Sequence, residues 1–297
     1  MDPPDELDQQ ILGLASNRES GASDILDAVI AILTTARDRG IAILPLARSI
    51  ARAQPSMAPV WNAVLAAIAS ERDPERFQRF VRQAARASGA LRRVALECFS
   101  LEPSRHVLHL VTISMSRAIL TVVDAARTGR EVRVSCSESR PALEGRQLAS
   151  RLAAQGVRVT CFSDAAIGDA LVAADAVVVG ADAVGPDWFI NKAGTRMLAA
   201  AAHHQGIPVY VAATRDKFVG RAVAGRLAVR EGSPAEIWDA PPSGVEIRNP
   251  YFETIPLDLV TLVISDAGLL GAALVPDVCE SRHDAAILDA LERLEAG

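Results

Sequence analysis

Four basic side chains, Arg117, Arg140, Lys192 and Lys217, and one carboxylate in a tight turn, Asp182, carry the chemistry this sequence can do. Nearly all lie just beyond a short apolar run. Thr112, Ser114, Ser116 and Arg117 follow the run at 107–111, and Ser137-Glu138-Ser139-Arg140-Pro141 follows 132–136. Asp164 comes after 157–162, Asp182 after 176–180, and Thr214, Lys217 and Phe218 after 208–212. Asn191, Lys192, Gly194 and Thr195 open a helical stretch. Fixed cations beside two expected helix N-termini, near Pro141 and Asn191, suit an anion such as a phosphate, because the first N–H groups of a helix lack internal partners. A carboxylate in the same layer adds a group able to hold or move a proton. Neither GxGxxG nor GxxxxGK[ST] occurs, nor a GxSxG elbow, so the common dinucleotide, P-loop and hydrolase signatures are absent.

Those residues need strands to present them. The runs at 107–111, 132–136, 157–162, 176–180 and 208–212 predict buried strands, with a sixth at 262–264. Helices are predicted between them at 117–128, 141–155, 165–173 and 192–204. Strands alternating with helices give a parallel sheet with right-handed crossovers. Ligands then bind beyond the carboxyl ends of the strands. Upstream, apolar spacing predicts helices at 25–37, with Ser23 as N-cap and Gly40 closing it, then at 43–52, 59–70 and 74–87. The segment 231–249, with Pro234, Pro241, Pro242 and Gly244, reads as a long surface loop. The expected fold is therefore α/β: a helical N-terminal domain over 1–103, then a Rossmann-like parallel-sheet domain over 104–297.

Composition narrows the function. Of 297 residues half are hydrophobic but only 4% aromatic, which suits aliphatic helices packed on a sheet. The net charge of −5 and the scattered Trp61, Trp188 and Trp238 exclude a general nucleic-acid surface. The four cysteines, Cys98, Cys136, Cys161 and Cys279, form no CxxC pair, and His106, His109 and His203-His204 stand at no metal-ligand spacing. No apolar run of ~18 residues marks a membrane span, and the acidic start, Met1-Asp2-Pro3-Pro4-Asp5-Glu6, is unlike a signal peptide. A cytoplasmic protein without membrane contact is expected.

Several motifs resemble one family. Ser137-Glu138-Ser139-Arg140-Pro141 with Glu144-Gly145-Arg146 resembles the (T/S)E(T/S)RP…(Q/E)GR signature of methylthioribose-1-phosphate isomerases, ribose-1,5-bisphosphate isomerases and the alpha, beta and delta subunits of initiation factor 2B. Val179-Gly180-Ala181-Asp182 is similar to their VGAD, and Asn191-Lys192-Ala193-Gly194-Thr195 to their NKxGT. Asp164, Lys217-Phe218 and 249–256 (NPYFETIP) fit further elements in the same order.

The resemblance implies a ligand site made of Gly21, Ala22, Glu138, Arg140, Asn191 and Lys192, no metal or cofactor, and a homodimer. In the isomerases it also implies a catalytic cysteine and aspartate, the latter here Asp182. The cysteine position holds Ser114, whose hydroxyl does not ionise near neutral pH as a thiol partly does. Cys136, ending the neighbouring strand, is the thiol that can stand in for it. The isomerases' RGA is here Ser20-Gly21-Ala22, without the arginine. Both departures favour a regulatory, non-catalytic protein binding a phosphorylated sugar or nucleotide. The alternative is an aldose–ketose isomerase of a pentose 1-phosphate using Asp182 with Ser114 or Cys136.

Overall fold

A computed structural model describes residues 6–17, 21–100, 107–229 and 231–296. Ser20, His106 and the expected domain boundary at 103/104 lie outside them. Among the described residues up to Ser100 there are five helices: α1 (Glu6–Ser16), α2 (Ala22–Asp38), α3 (Ile43–Ala53), α4 (Ala58–Ala69) and α5 (Glu75–Ser100). Gly21, not Ser23, is the N-cap of α2; Ser23 lies inside the first turn. Nearly every residue of α4 is buried, as its unbroken apolar sequence requires, and it forms the axis of the bundle. The helix expected over 74–87 runs on to Ser100. Its first half buries Phe77 and Phe80 among the N-terminal helices, and its second half lays Leu91, Ala95 and Phe99 on the sheet. At 1.5 Å per residue this one rod of about 39 Å joins the two regions.

The sheet strands are β1 (Val107–Thr112), β2 (Glu131–Ser137), β3 (Arg158–Phe162), β4 (Ala176–Gly180), β7 (Val209–Ala212), β9 (Leu262–Ser265) and β10 (Gly268–Leu270); β5 (Ala183–Val184), β6 (Trp188–Lys192) and β8 (Phe252–Pro256) pair separately. The large sheet has the order β3-β2-β1-β4-β7-β9-β10, parallel except for β10. Helices α6 (Arg117–Ala126) and α7 (Glu144–Ala154) cover one face with α5, and α8 (Thr195–His204) lies on the other. Strand order reverses at β1 and β4, which opens a crevice beyond their carboxyl ends.

Three local expectations change. Residues 164–173 form 3-10 turns rather than an α-helix. The helix expected over 192–204 begins only at Thr195, because Lys192 closes strand β6. β8 follows the exposed loop and pairs antiparallel with β6, in a small sheet that periodicity did not predict. The short α9 (Arg221–Ala224) and α10 (Val275–Glu280) lead to α11 (Ala285–Glu295), which returns to the N-terminal bundle. There Ile287, Ala290, Leu291 and Leu294 join the core around α4. The Arg48 guanidinium of α3 donates to the Arg293 and Leu294 carbonyls, closing the last turn of α11. Among the described residues no helix is long and apolar enough to cross a membrane.

Candidate functional site

The loops after β1 and β2 are knit together by backbone strain and short hydrogen bonds. Among the described residues, the non-glycine positions with left-handed φ are Ser114 (68°), Ser139 (62°) and Leu143 (61°), and all three belong to these loops. Each such residue costs on the order of 1 kcal/mol, and such residues cluster where function fixes the backbone. The Asp164 carboxylate accepts from the backbone N–H groups of Ser139 and Arg140, both at 2.7 Å. The Ser114 N–H in turn donates to Ser139 Oγ at 2.9 Å. Asp164 therefore anchors the loop.

Close packing places the next residues. A Cβ on Gly145 would lie 1.8 Å from the Ser137 carbonyl oxygen, so only glycine lets the first turn of α7 meet the end of β2. A Cβ on Gly180 would lie 2.9 Å from Ser116 Cβ, which fixes the approach of β4 to the loop after β1. With α7 seated, Glu144 projects into the crevice. Its Oε1 accepts from Ser114 Oγ at 3.1 Å and lies 2.7 Å from Lys192 Nζ, whose side chain is only 2% exposed. Lys192 Nζ also sits 4.8 Å from the centre of the Tyr251 ring, a cation–π contact.

The N-terminal bundle holds the other wall. The Ala58 N–H at the start of α4 donates to the Asp182 carbonyl at 3.1 Å. One turn later the Asn62 amide donates to the carbonyls of Asp216 and Phe218 at 2.7 and 3.0 Å, fixing the turn that carries Lys217. One helix thus sets the height of both Asp182 and Lys217. Together these walls form a small crevice open to solvent and lined by Ser114, Glu144, Asp182, Asn191, Lys217 and Tyr251, with residues 21–24 at the N-terminus of α2.

The expected site residues separate into those that line this cavity and those that do not. Gly21, Ala22, Ser114, Asp182 and Asn191 line it, and Lys192 backs it through Glu144 and Tyr251. Arg140 is exposed and outside the lining. Glu138 pairs with Arg146 and not with Arg140. Asn191 Nδ2 donates to Thr195 Oγ1 at 2.9 Å, while Gly194 is the N-cap of α8. The N–H groups expected to be free there are taken: Gly194 and Arg196 both donate to Glu253 Oε1 at 2.8 Å. An anion on that helix would meet a carboxylate. Arg117, expected as a fixed cation, lines the cavity already paired with Asp24 and Asp27.

Cys136 is fully buried beneath α7 with Leu148 and Leu152, its thiol facing the Gly145 carbonyl at 3.7 Å. Burial, helped by neighbouring Cys161, pushes that thiol up to about 12, so a thiolate near neutral pH is not available from it. The residue that spacing did not single out is Glu144. Its signal lay in the motif around Gly145, whose glycine seats the helix that aims it. Among the described residues no cluster of three or more His, Cys, Asp or Glu is placed to hold a metal.

Burial pushes the Asp182 carboxyl up to about 6; Lys217 and Lys192 pull it down and Glu144 pushes it further up. The unfolded carboxyl titrates near 3.8. Between the two values the native state holds the extra proton, so the contribution of this carboxyl to stability is fully present below about 4 and is lost as pH rises through 6. Asp182→Asn should remove that loss, raising stability at pH 7 by about 1–3 kcal/mol while weakening any ligand. Urea titrations of both proteins from pH 4 to 7 test this; a variant less stable than wild type at pH 7 would contradict it.

Comparison with known proteins follows from this geometry. The model of the Initiation factor 2 subunit family matches residues 26–272. A putative translation initiation factor eIF-2B subunit 2-like protein of Pyrococcus furiosus is 31% identical over 235 residues, 77% of this chain and 80% of its own. Ribose 1,5-bisphosphate isomerase of Methanocaldococcus jannaschii is 32% identical over 166 residues, so the chain spans about half (54%) of that relative's length, and 54% of this chain is matched. The crystal structure of the Pyrococcus horikoshii translation initiation factor eIF-2B superposes with a TM-score of 0.75 at 27% identity, covering 90% of this chain and 98% of that one. That of 5-methylthioribose 1-phosphate isomerase from the same organism shares the fold, with a TM-score of 0.68 at 19% identity over 93% of this chain and 87% of that one.

Proposed function

The chain belongs to the Initiation factor 2 subunit family, and from that premise we propose that it binds a phosphorylated sugar or nucleotide in the β1–β4 cavity as a regulatory, non-catalytic protein. One observation carries the choice. The position at which the resemblance implies a catalytic cysteine holds Ser114, whose hydroxyl is engaged with Glu144, and Cys136 points into the core. A homodimer and a cytoplasmic location go with this reading.

The second reading is isomerisation of a pentose 1-phosphate, and Asp182 favours it. A carboxyl held near 6 can both give and take a proton at neutral pH, as moving a proton between adjacent carbons requires. Thermal denaturation against sugar phosphates and nucleoside monophosphates, with turnover measured on every binder, decides between the two. A ligand at 100 times its Kd adds about 2.7 kcal/mol. The expected result is binding without product. Product that disappears in Asp182→Asn would establish the isomerase instead.

A further inference from the structure

We propose that His283, between α10 and α11, is a positioning residue for the cavity: with Asn62 it holds the turn that presents Lys217, so the C-terminal segment sets the direction of that cation. Its effect on a ligand rests on the binding reading above. The turn runs from Thr214, after β7, to Gly220, and the buried Lys217 side chain near its centre lines the cavity. Three backbone groups of this turn end on one pair of side chains. The Asn62 amide takes the carbonyls on either side of Lys217, those of Asp216 and Phe218. The Gly220 N–H donates to His283 Nδ1 at 3.2 Å, and His283 Nε2 stands 3.3 Å from Asn62 Oδ1.

These contacts allow one arrangement of protons. A backbone N–H can only donate, so Nδ1 carries the lone pair and the hydrogen sits on Nε2. That hydrogen meets Asn62 Oδ1, whose amide nitrogen is committed to two carbonyls, so neither the ring nor the amide can flip without losing bonds. The ring must be neutral to do this. Burial, with Arg282 beside it, pushes it down to about 4 against the opposing effect of Glu280 and Asp284, so it carries no charge at neutral pH. Gly220 permits the approach, since a Cβ there would lie 2.9 Å from Glu280 Oε2 and 3.1 Å from His283 Nδ1. Without the His283 hydrogen, the Asn62 amide is free to rotate off the two carbonyls, and Lys217 loses its set direction.

The experiment follows the Asp182 carboxyl through its titration by NMR of the side-chain carbon in the full chain, with calorimetry of ribose 5-phosphate and adenosine monophosphate beside it. Lys217, Lys192 and Glu144 face that carboxyl, and Lys217 pulls it down more than Lys192 does. His283→Leu fills the space but makes neither bond. Its Asp182 midpoint should rise above the wild-type value, and whichever compound binds should bind about tenfold more weakly. His283→Gln places an amide donor near the Nε2 position and should restore both readouts. A histidine that only supported the fold would change Tm and leave the Asp182 midpoint where it was. An unmoved midpoint in His283→Leu, or a His283→Gln shifted as far as the leucine variant, overturns the assignment. If His283→Leu does not fold, His283→Asn, which keeps the Gly220 acceptor but falls short of Asn62, must show the same rise or the assignment fails. If neither compound binds, the binding reading falls, and the Asp182 titration still decides the role of His283.

Discussion

Lys192→Met should cost about 3–5 kcal/mol of stability, the largest single loss expected from one side chain in the cavity. Methionine nearly keeps the length and apolar stem of lysine but leaves the Glu144 carboxylate buried with only Ser114 as a partner. Removing one member of a buried pair strands the other charge, whereas removing both is often close to neutral. The double variant Lys192→Met/Glu144→Gln should therefore recover most of the loss. The remainder is the contact with Tyr251, worth about 0.5–2 kcal/mol. Urea denaturation of the four proteins in a double-mutant cycle gives the coupling directly. Losses that simply add would mean that Lys192 stabilises the fold through something other than Glu144.

Gly145→Ala reverses the sign that helix propensity predicts. In an ordinary helix interior, alanine is better than glycine by about 1 kcal/mol. Here the new methyl would lie 1.8 Å from the Ser137 carbonyl oxygen and 2.9 Å from Ser139 Oγ. The first of these is backbone and cannot swing aside, so α7 must move off the end of β2. Overpacking of this kind costs about 1–3 kcal/mol and sometimes more. The shift also carries Glu144, the preceding residue, away from Ser114 and Lys192. The variant should melt several degrees lower, and whatever remains folded should bind ligand at least tenfold more weakly. A protein with unchanged Tm and affinity would show that the turn accommodates the methyl, and that the glycine is not what sets the site.

Much of the sheet was legible because its central strands are buried on both faces. The run at 176–180 has no polar residue and emerged with the bounds expected. The α-helices were legible wherever one face stayed polar. α5 was cut short at 87 because Ser88-Gly89 resembles a helix stop, yet no neighbouring atom lies within 4 Å of where a Gly89 Cβ would be. The bundle on one side and the sheet on the other hold the helix through that pair. The small sheet of β5, β6 and β8 was missed for a different reason. β6 pairs with β8 across sixty or more residues, and Trp188-Phe189-Ile190-Asn191-Lys192 carries too short a pattern to separate strand from helix start.

The site followed the same division. Residues marked by motif and strand end, Ser114, Asp182 and Asn191, do line one cavity. What spacing cannot show is pairing. The cations looked available in sequence, but Lys192 faces Glu144 and Arg117 faces Asp24 and Asp27. Glu253 closes the helix end that looked free. Such pairings are made between elements far apart in the chain, and only tertiary packing fixes them.

The return of α11 to the N-terminal bundle bears on the order in which the chain can fold. Arg48 and its acceptor Arg293 are 245 residues apart, and four residues of α11 complete the core around α4. As the chain is synthesised, the first five helices emerge early with that side of the core uncovered. The sheet emerges next, but α4 also clamps Asp182 and the Lys217 turn, so the walls of the cavity depend on the same bundle. Closure over so long a span carries a large loop entropy and comes late. The walls of the cavity are therefore complete only once α11 has docked, and a chain lacking that helix would leave this side of the bundle core uncovered.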